Sequence, residues 1–160
     1  MSRAAERFTE AAAALGLDHE VRRFPEGTRT AEDAARAIGC DVAQIVKSLV
    51  FIADEAPVLV LTSGRNRVDL EKIATLCHAA TARKATADEV REATGFAIGG
   101  TPPFGHPRAL RCFVDADLMG YREVWAAAGT PDGVFALTPD DLVRASEGTV
   151  AEFAETPSRG

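Results

Sequence analysis

The chain of 160 residues is 46% hydrophobic and 26% charged, the balance of an average soluble protein and enough for one domain whose core needs no staples. Its net charge of −6 argues against a protein that grips nucleic acid by global charge, and no stretch reaches the roughly 18 apolar residues of a membrane span. Three cysteines, Cys40, Cys77 and Cys112, lie far apart without a C-x-x-C, which speaks against a disulfide framework or a zinc site and for packed thiols.

In the opening segment, MSRAAERFTEAAAALG, Glu6, Arg7 and Glu10 interrupt any signal-peptide run, so a cytoplasmic protein is expected. A helix is predicted from about Arg3 to Leu15, closed by Gly16 in the left-handed conformation. His19–Phe24 reads as a short strand and Pro25–Thr28 as a turn. Thr30, with Asp33 three residues on, caps a helix that runs to Ile38 and stops at Gly39.

Gln44–Asp54 (QIVKSLVFIAD) has the length and β-branched content of a strand, and Pro57–Gly64 is its hairpin partner. Asp69 caps a helix through about Cys77, and ATARKA (80–85) is an edge strand. Thr86 and Glu89 form a capping box for a helix ending at Gly95. A Gly- and Pro-dense loop, Phe96–Pro107, precedes a strand at Ala109–Asp115. REVWAAAG (122–129) and Gly133–Thr138 are strands about the turn TPDG. Thr138-Pro139 opens a helix, PDDLVRAS, and GTVAEF (148–153) is a last strand. Hairpins mixed with single helices predict an α+β fold: one domain over residues 1–155, a mixed, mostly antiparallel sheet flanked by helices, and a frayed tail at 156–160.

Lys47 is the anomaly in this pattern. As a strand residue it shares a face with Ile45, Leu49 and Phe51, while Val46, Ser48 and Val50 face the other way, so both faces are mainly apolar. Either its stem packs and its ammonium snorkels to water, or it stands at the wall of a cavity to meet an anion or a carbonyl oxygen. A second anomaly is GGTPPFGH. Gly99 and Gly100 permit close backbone approach, and Pro102 and Pro103 stiffen the second half of the loop. Such a loop is either purely structural or presents N–H groups to an oxyanion. It is not a phosphate-binding P-loop, since it lacks a G-K-[ST]. His106, in this loop, can touch a substrate, whereas His19 and His78 read as surface or packing residues. No G-x-S-x-G surrounds Ser48 or Ser63, and no histidine spacing suggests a metal.

Taken in order, T-x-x-D-A-A-x-x-x-G…I-V-K-S-L-V-F (Thr30–Phe51), VLVLTSGRNRVDLEKI (Val58–Ile73), EVREATGFAIGGTPPFGH (Glu89–His106), RCFVDADL and VWAAAG resemble the YbaK/EbsC family. Its members are editing domains related to the insertion domain of bacterial prolyl-tRNA synthetase. The resemblance covers about Thr30 to Phe153. It implies a freestanding, metal-independent and cofactor-free deacylase that hydrolyses the ester between a wrongly chosen small amino acid and the 3′ end of tRNA, often tRNA for proline. Lys47 matches the family's functional lysine, and Gly99 to Pro103 its Gly-x-x-x-Pro loop beside the substrate pocket.

On that reading Lys47 binds a phosphate or the ester carbonyl oxygen, and the N–H of Gly99 or Gly100 stabilises the tetrahedral oxyanion. Phe24, Thr30, Ser48, Phe51, Thr101, Pro103 and His106 are the expected substrate contacts. The attacking group is water or the substrate's own side chain. Two departures speak against a cysteine-specific member: Phe24 stands where such members carry tyrosine, and the loop reads Thr-Pro-Pro-Phe-Gly-His instead of Ile-Ser-Pro-Leu-Gly. The partners expected are a tRNA acceptor end, held weakly and salt-sensitively, and a synthetase, with Arg22, Arg23, Arg108 and Arg111 as candidate RNA contacts. Duplex DNA is not expected, given the charge and the lack of a helix-turn-helix. The alternative is a non-catalytic module that binds aminoacyl-tRNA, a nucleotide or a synthetase.

Overall fold

Local signals start and stop the helices of this protein, whose structure, a computed structural model, describes residues 2–24 and 30–156. Helix α1 (Arg3–Ala14) begins where the Ser2 side chain accepts from the Ala5 N–H, and it buries Ala5, Phe8 and Ala12 at helical spacing. Helix α2 (Ala31–Ile38) is capped by Thr30, which accepts from the Asp33 N–H, and ends at Gly39 with φ +88°. Asp69 caps α3 (Leu70–Leu76), a reciprocal Thr86–Glu89 box opens α4 (Ala87–Thr94), and Thr138 caps α5 (Pro139–Ser146). These boundaries fall within a residue or two of the sequence expectation.

The strands are β1 (Val21–Arg23), β2 (Val46–Ala53), β3 (Ala56–Ser63), β4 (Ala82–Lys84), β5 (Arg111–Asp115), β6 (Val124–Ala127), β7 (Gly133–Leu137) and β8 (Thr149–Ala151). The α+β class and the mixed, mostly antiparallel pairing are as expected. The single sheet is corrected to two. One has the order β1-β7-β6 and is antiparallel throughout; the other has the order β4-β2-β3-β5-β8, antiparallel at β4-β2-β3 and parallel at β3-β5-β8. A parallel bridge between Ile45 and Trp125 ties the sheets together. Two short 3₁₀ turns, Val42–Gln44 and Ala116–Gly120, had no sequence counterpart; Asp41 and Asp115 cap them. The expected turn at Pro25–Thr28 and the tail beyond Thr156 lie outside the described residues.

Strands β2 and β3 form a hairpin closed by Asp54 and Glu55, both at positive φ, the turn geometry that matches strand twist. They are buried on both faces. Val46, Val50, Leu59 and Leu61 pack with Phe8 and Phe135 on one side, and Phe51, Val58 and Val60 with Ile73, Phe113 and Phe153 on the other. The extent of strand pairing positions the site. β3 accompanies β2 along its whole length, whereas β4 pairs only with Phe51–Ala53. The Val46–Leu49 half of β2 is therefore left with one strand neighbour, and beyond the Ile45–Trp125 bridge a cleft opens between β2 and β6. No described helix is long and apolar enough to cross a membrane.

Candidate active site

The cleft is a cavity of about 560 Å³, within the usual range for small-molecule sites. Its floor is Ile45 and the adjoining part of β2, Val46 to Leu49. The start of α2, the segment Gly64–Arg67, the Gly99 loop and strands β6 and β7 form its walls. Lys47 is half-buried here, and its Nζ donates to the backbone carbonyl of Asn66 at 2.8 Å. Asn66 is fixed in turn: its Nδ2 donates to Oδ2 of Asp115 at 2.9 Å and to Oδ2 of Asp117 at 2.8 Å. Asp115 is 2% exposed and also accepts from Thr62 Oγ1 at 3.1 Å and the Ser63 N–H at 3.0 Å. A buried carboxylate with this many donors is a rigid anchor, so the lysine is held by a network rooted in the core. Burial pushes the Lys47 pKa below its usual value, aided by the Arg67 charge and opposed by those of Glu32 and Asp115. An ammonium has three donors, so the bond to Asn66 leaves two for a ligand.

The glycine loop is clamped from behind. Phe96 and Phe104 are buried, and Phe104 packs at 5.7 Å from both the Phe8 and the Phe135 ring. Nε2 of His106 pairs with the Pro102 carbonyl oxygen at 2.9 Å while its ring meets the edge of Phe96. Burial lowers the His106 pKa, with the bond to Pro102 opposing it, so the imidazole favours the neutral form. Gly100 donates its N–H to Ala97 O at 3.0 Å, and a Cβ there would stand 2.9 Å from Thr130 Cα. Gly99, at φ +84°, faces the cavity, and among the described residues its N–H has no acceptor.

Five expected site residues are thus brought together at the cavity: Lys47, Gly99, Thr30, Ser48 and Thr101. Thr30 and Thr101 use their hydroxyls internally, on the Asp33 N–H and the Ala97 carbonyl. Ser48 is different, since its Oγ is buried with no hydrogen-bond partner among the described residues. The others lie elsewhere. Gly100 is buried behind the loop with its N–H taken, and Phe51 belongs to the core beneath α3. Pro103 and His106 line a separate small pocket of about 110 Å³, and Phe24 donates its N–H to Asp132 O at 2.8 Å outside the cavity lining. Sequence reasoning missed Asn66 and Asp115. Their signal was a lone carboxylate ending the apolar strand RCFVD and an Asn between two arginines in GRNR.

Residues 25–145 match the family model of the aminoacyl-tRNA editing domain. The chain belongs to that family. It is 31% identical over 126 residues to the uncharacterized protein YwhH of Bacillus subtilis (strain 168), covering 78% of this chain and 80% of that protein. It is 33% identical over 106 residues to the proline–tRNA ligase of Lactobacillus gasseri, covering 66% of this chain and 19% of the ligase, so it spans about a fifth of the length of that relative. A crystal structure of a candidate trans-editing enzyme for prolyl-tRNA synthetase superposes with a TM-score of 0.91 at 47% identity, covering 98% of this chain and 99% of that one.

The charge around this editing domain's cavity is unlike that of the chain. Lys47, Arg65, Arg67 and Lys84 line it against one carboxylate, Glu32. A somewhat larger cleft of about 630 Å³ lies elsewhere, but Glu55, Glu89 and Glu92 outnumber Arg108 and Arg111 there, which disfavours an anionic ligand. Three of the four arginines expected to meet RNA have structural posts, and the fourth, Arg108, lines the larger, acidic cleft. Arg22 stacks over Trp125, Arg23 pairs with Asp132 at 3.7 Å, and Arg111 donates to the last carbonyls of α3 at Leu76 and Cys77. Among the described residues no three His, Cys, Asp or Glu side chains converge as metal ligands.

Proposed function

We propose that the protein is an aminoacyl-tRNA deacylase acting in trans, which hydrolyses the ester of a small mischarged amino acid, with tRNA for proline as the carrier. The observation that carries this reading is Lys47, held at 2.8 Å by the Asn66 carbonyl and half-buried in a cavity that also takes in Gly99. The family supports the reaction class, and the proline–tRNA ligase relative supports the choice of carrier.

The terminal adenosine enters between β2 and the Gly99 loop. Water attacks the ester carbonyl carbon, and the carbonyl oxygen takes up the negative charge. The Lys47 ammonium and the Gly99 N–H stabilise that oxyanion. Collapse re-forms the carbonyl, breaks the bond to the ribose oxygen and releases the free amino acid, while the ribose oxygen takes the proton that water gives up. An aminoacyl ester is already activated, so preorganised electrostatics suffice without a nucleophilic triad.

The test is deacylation of tRNA for proline charged with Cys, Ala, Ser or 2-aminobutyrate, and of other tRNAs charged with Ser or Thr. Wild type and Lys47→Met are compared, the methionine keeping the apolar stem. Loss of a single oxyanion donor costs about 10²–10³ in turnover, so Lys47→Met should fall by at least about 100-fold on the preferred substrate. Equal activity of the two proteins removes the lysine from the mechanism. A folded wild type with no turnover anywhere in the panel replaces the deacylase with a binding module.

A further inference from the structure

Among the described residues the ion pairs engage Arg23, Arg36, Arg65, Arg83 and Arg144. Arg67 and Lys84 are absent from them. Both are exposed, and both line the cavity that holds Lys47. The sheet register puts Lys84 opposite Phe51, and opposed residues of an antiparallel pair project from the same face. Phe51 and Lys47 are four residues apart and share that face as well, so Lys84 and Lys47 stand on one side of the sheet. They are separated by roughly 13 Å along β2 at the usual rise of a strand. Arg67 lies at the other end, just past Gly64, where β3 has passed the level of Lys47. The cations therefore run along β2 in the order Lys84, Lys47, Arg67.

We infer that Arg67 and Lys84 are the phosphate contacts of a single-stranded RNA end, flanking Lys47 on either side. This rests on the reading of the cavity as the acceptor-end site. The chemistry favours such a ligand over a lone anion. A lone anion needs one convergent cluster, whereas a line of cations more than one residue's reach apart matches a chain of phosphates. A local excess of cations at one cavity, in a chain with net charge −6, also accounts for local, salt-sensitive binding without a general affinity for polyanions.

The experiment measures binding and does not depend on turnover. An uncharged RNA hairpin with a short single-stranded 3′ end is titrated by fluorescence anisotropy at several salt concentrations. The proteins are wild type, Arg67→Gln, Lys84→Gln and, as controls, Arg91→Gln and Arg122→Gln, whose exposed side chains lie outside the cavity. Each cavity variant should weaken binding at low salt and reduce the slope of log affinity against log salt by about 0.7, the value for one phosphate on a single strand. The controls should match wild type, and a blunt hairpin without the 3′ end should bind more weakly. Unchanged slopes in both cavity variants overturn the inference, as does equal binding of the blunt hairpin. Hydrolysis of 3′-aminoacyl adenosine by wild type is monitored in parallel. Its absence defeats the deacylase reading alone, because RNA binding is scored separately.

Discussion

Nζ of Lys47 reaches the carbonyl oxygen of Asn66 at 2.8 Å, although 19 residues separate them in the chain. The contact joins the two halves of the β2–β3 hairpin's open end. It explains how an ammonium is tolerated in an otherwise apolar strand. The charge is neither sunk in the core nor free in solvent but held at a cavity wall by one acceptor, with donors left over.

Asp115 is the root of that arrangement. Replacing it with Asn keeps the shape but puts an amide where three donors converge on a carboxylate oxygen. Hydrogen bonds to a buried charge are worth about 1.5–3 kcal/mol each, and an unpaired buried donor carries a penalty of about 1–3 kcal/mol. Asp115→Asn should lose at least about 2 kcal/mol of stability by urea unfolding. Deacylation should fall as well, since Asn66 and with it Lys47 lose their anchor. Lys47→Met in the same background should then cause a smaller further loss than it does in wild type.

Ser48 should show the opposite balance. Its buried Oγ has no hydrogen-bond partner among the described residues. Ser48→Ala removes an unsatisfied group, so the unfolding midpoint should rise, by about 1 kcal/mol or more. If the hydroxyl serves the substrate, KM should rise in the same variant. A stability gain with unchanged KM would make the hydroxyl a packing defect without function.

The two loop glycines should differ. Gly99→Ala reaches only ordinary van der Waals contact with Pro131, at 3.9 Å, and otherwise strains φ, an effect of about 1–2 kcal/mol. Gly100→Ala puts a methyl 2.9 Å from the Thr130 backbone, which cannot yield as a flexible side chain does. Overpacking of this kind costs about 1–3 kcal/mol and moves the loop. Gly100→Ala should therefore impair turnover even though the Gly100 N–H is already taken by the Ala97 carbonyl, and a crystal structure of the variant should show the Ala97–Thr101 turn displaced from Thr130.

The alkaline limb of the pH profile should report Lys47. Its pKa lies below 10.5 because burial disfavours the charged form, so kcat/KM should fall as pH rises through a value below that of free lysine. Arg67 pushes in the same direction, so Arg67→Gln should move the limb upward, whereas Glu32→Gln, removing a charge that raises the pKa, should move it downward. Stability moves the opposite way across the same pH range. The unfolded chain holds the lysine proton more tightly than the folded one, so the penalty of the charged lysine is full below the folded pKa. It is relieved as pH rises from there towards 10.5. Wild type should therefore gain stability relative to Lys47→Met across that window, read as a shift between their urea midpoints.

The helices were legible because their boundaries are set within one turn. Thr30 and Asp33, Thr86 and Glu89, and Thr138 and Pro139 need only the neighbouring backbone to act. The expected contacts fared unevenly for a reason of distance. Phe51 shares a strand face with Lys47, but α3 covers that face before Phe51 is reached, so the phenylalanine is core and the lysine is not. His106 belongs to the right loop on its wrong side, since Phe96 and the Pro102 carbonyl draw the imidazole inward.

Sequence alone determined which segments are helix and strand, the apolar character of both faces of β2, and the oddity of Lys47 within it. Those are properties of residues a few positions apart. That β4 stops short of Lys47, that β6 diverges from β2 beyond one bridge, and that Asp115 reaches across 49 residues to hold Asn66 were decided by the tertiary structure alone. Each depends on strands meeting that are distant in the chain, and the partner of a sheet edge is chosen by the packing of the whole core.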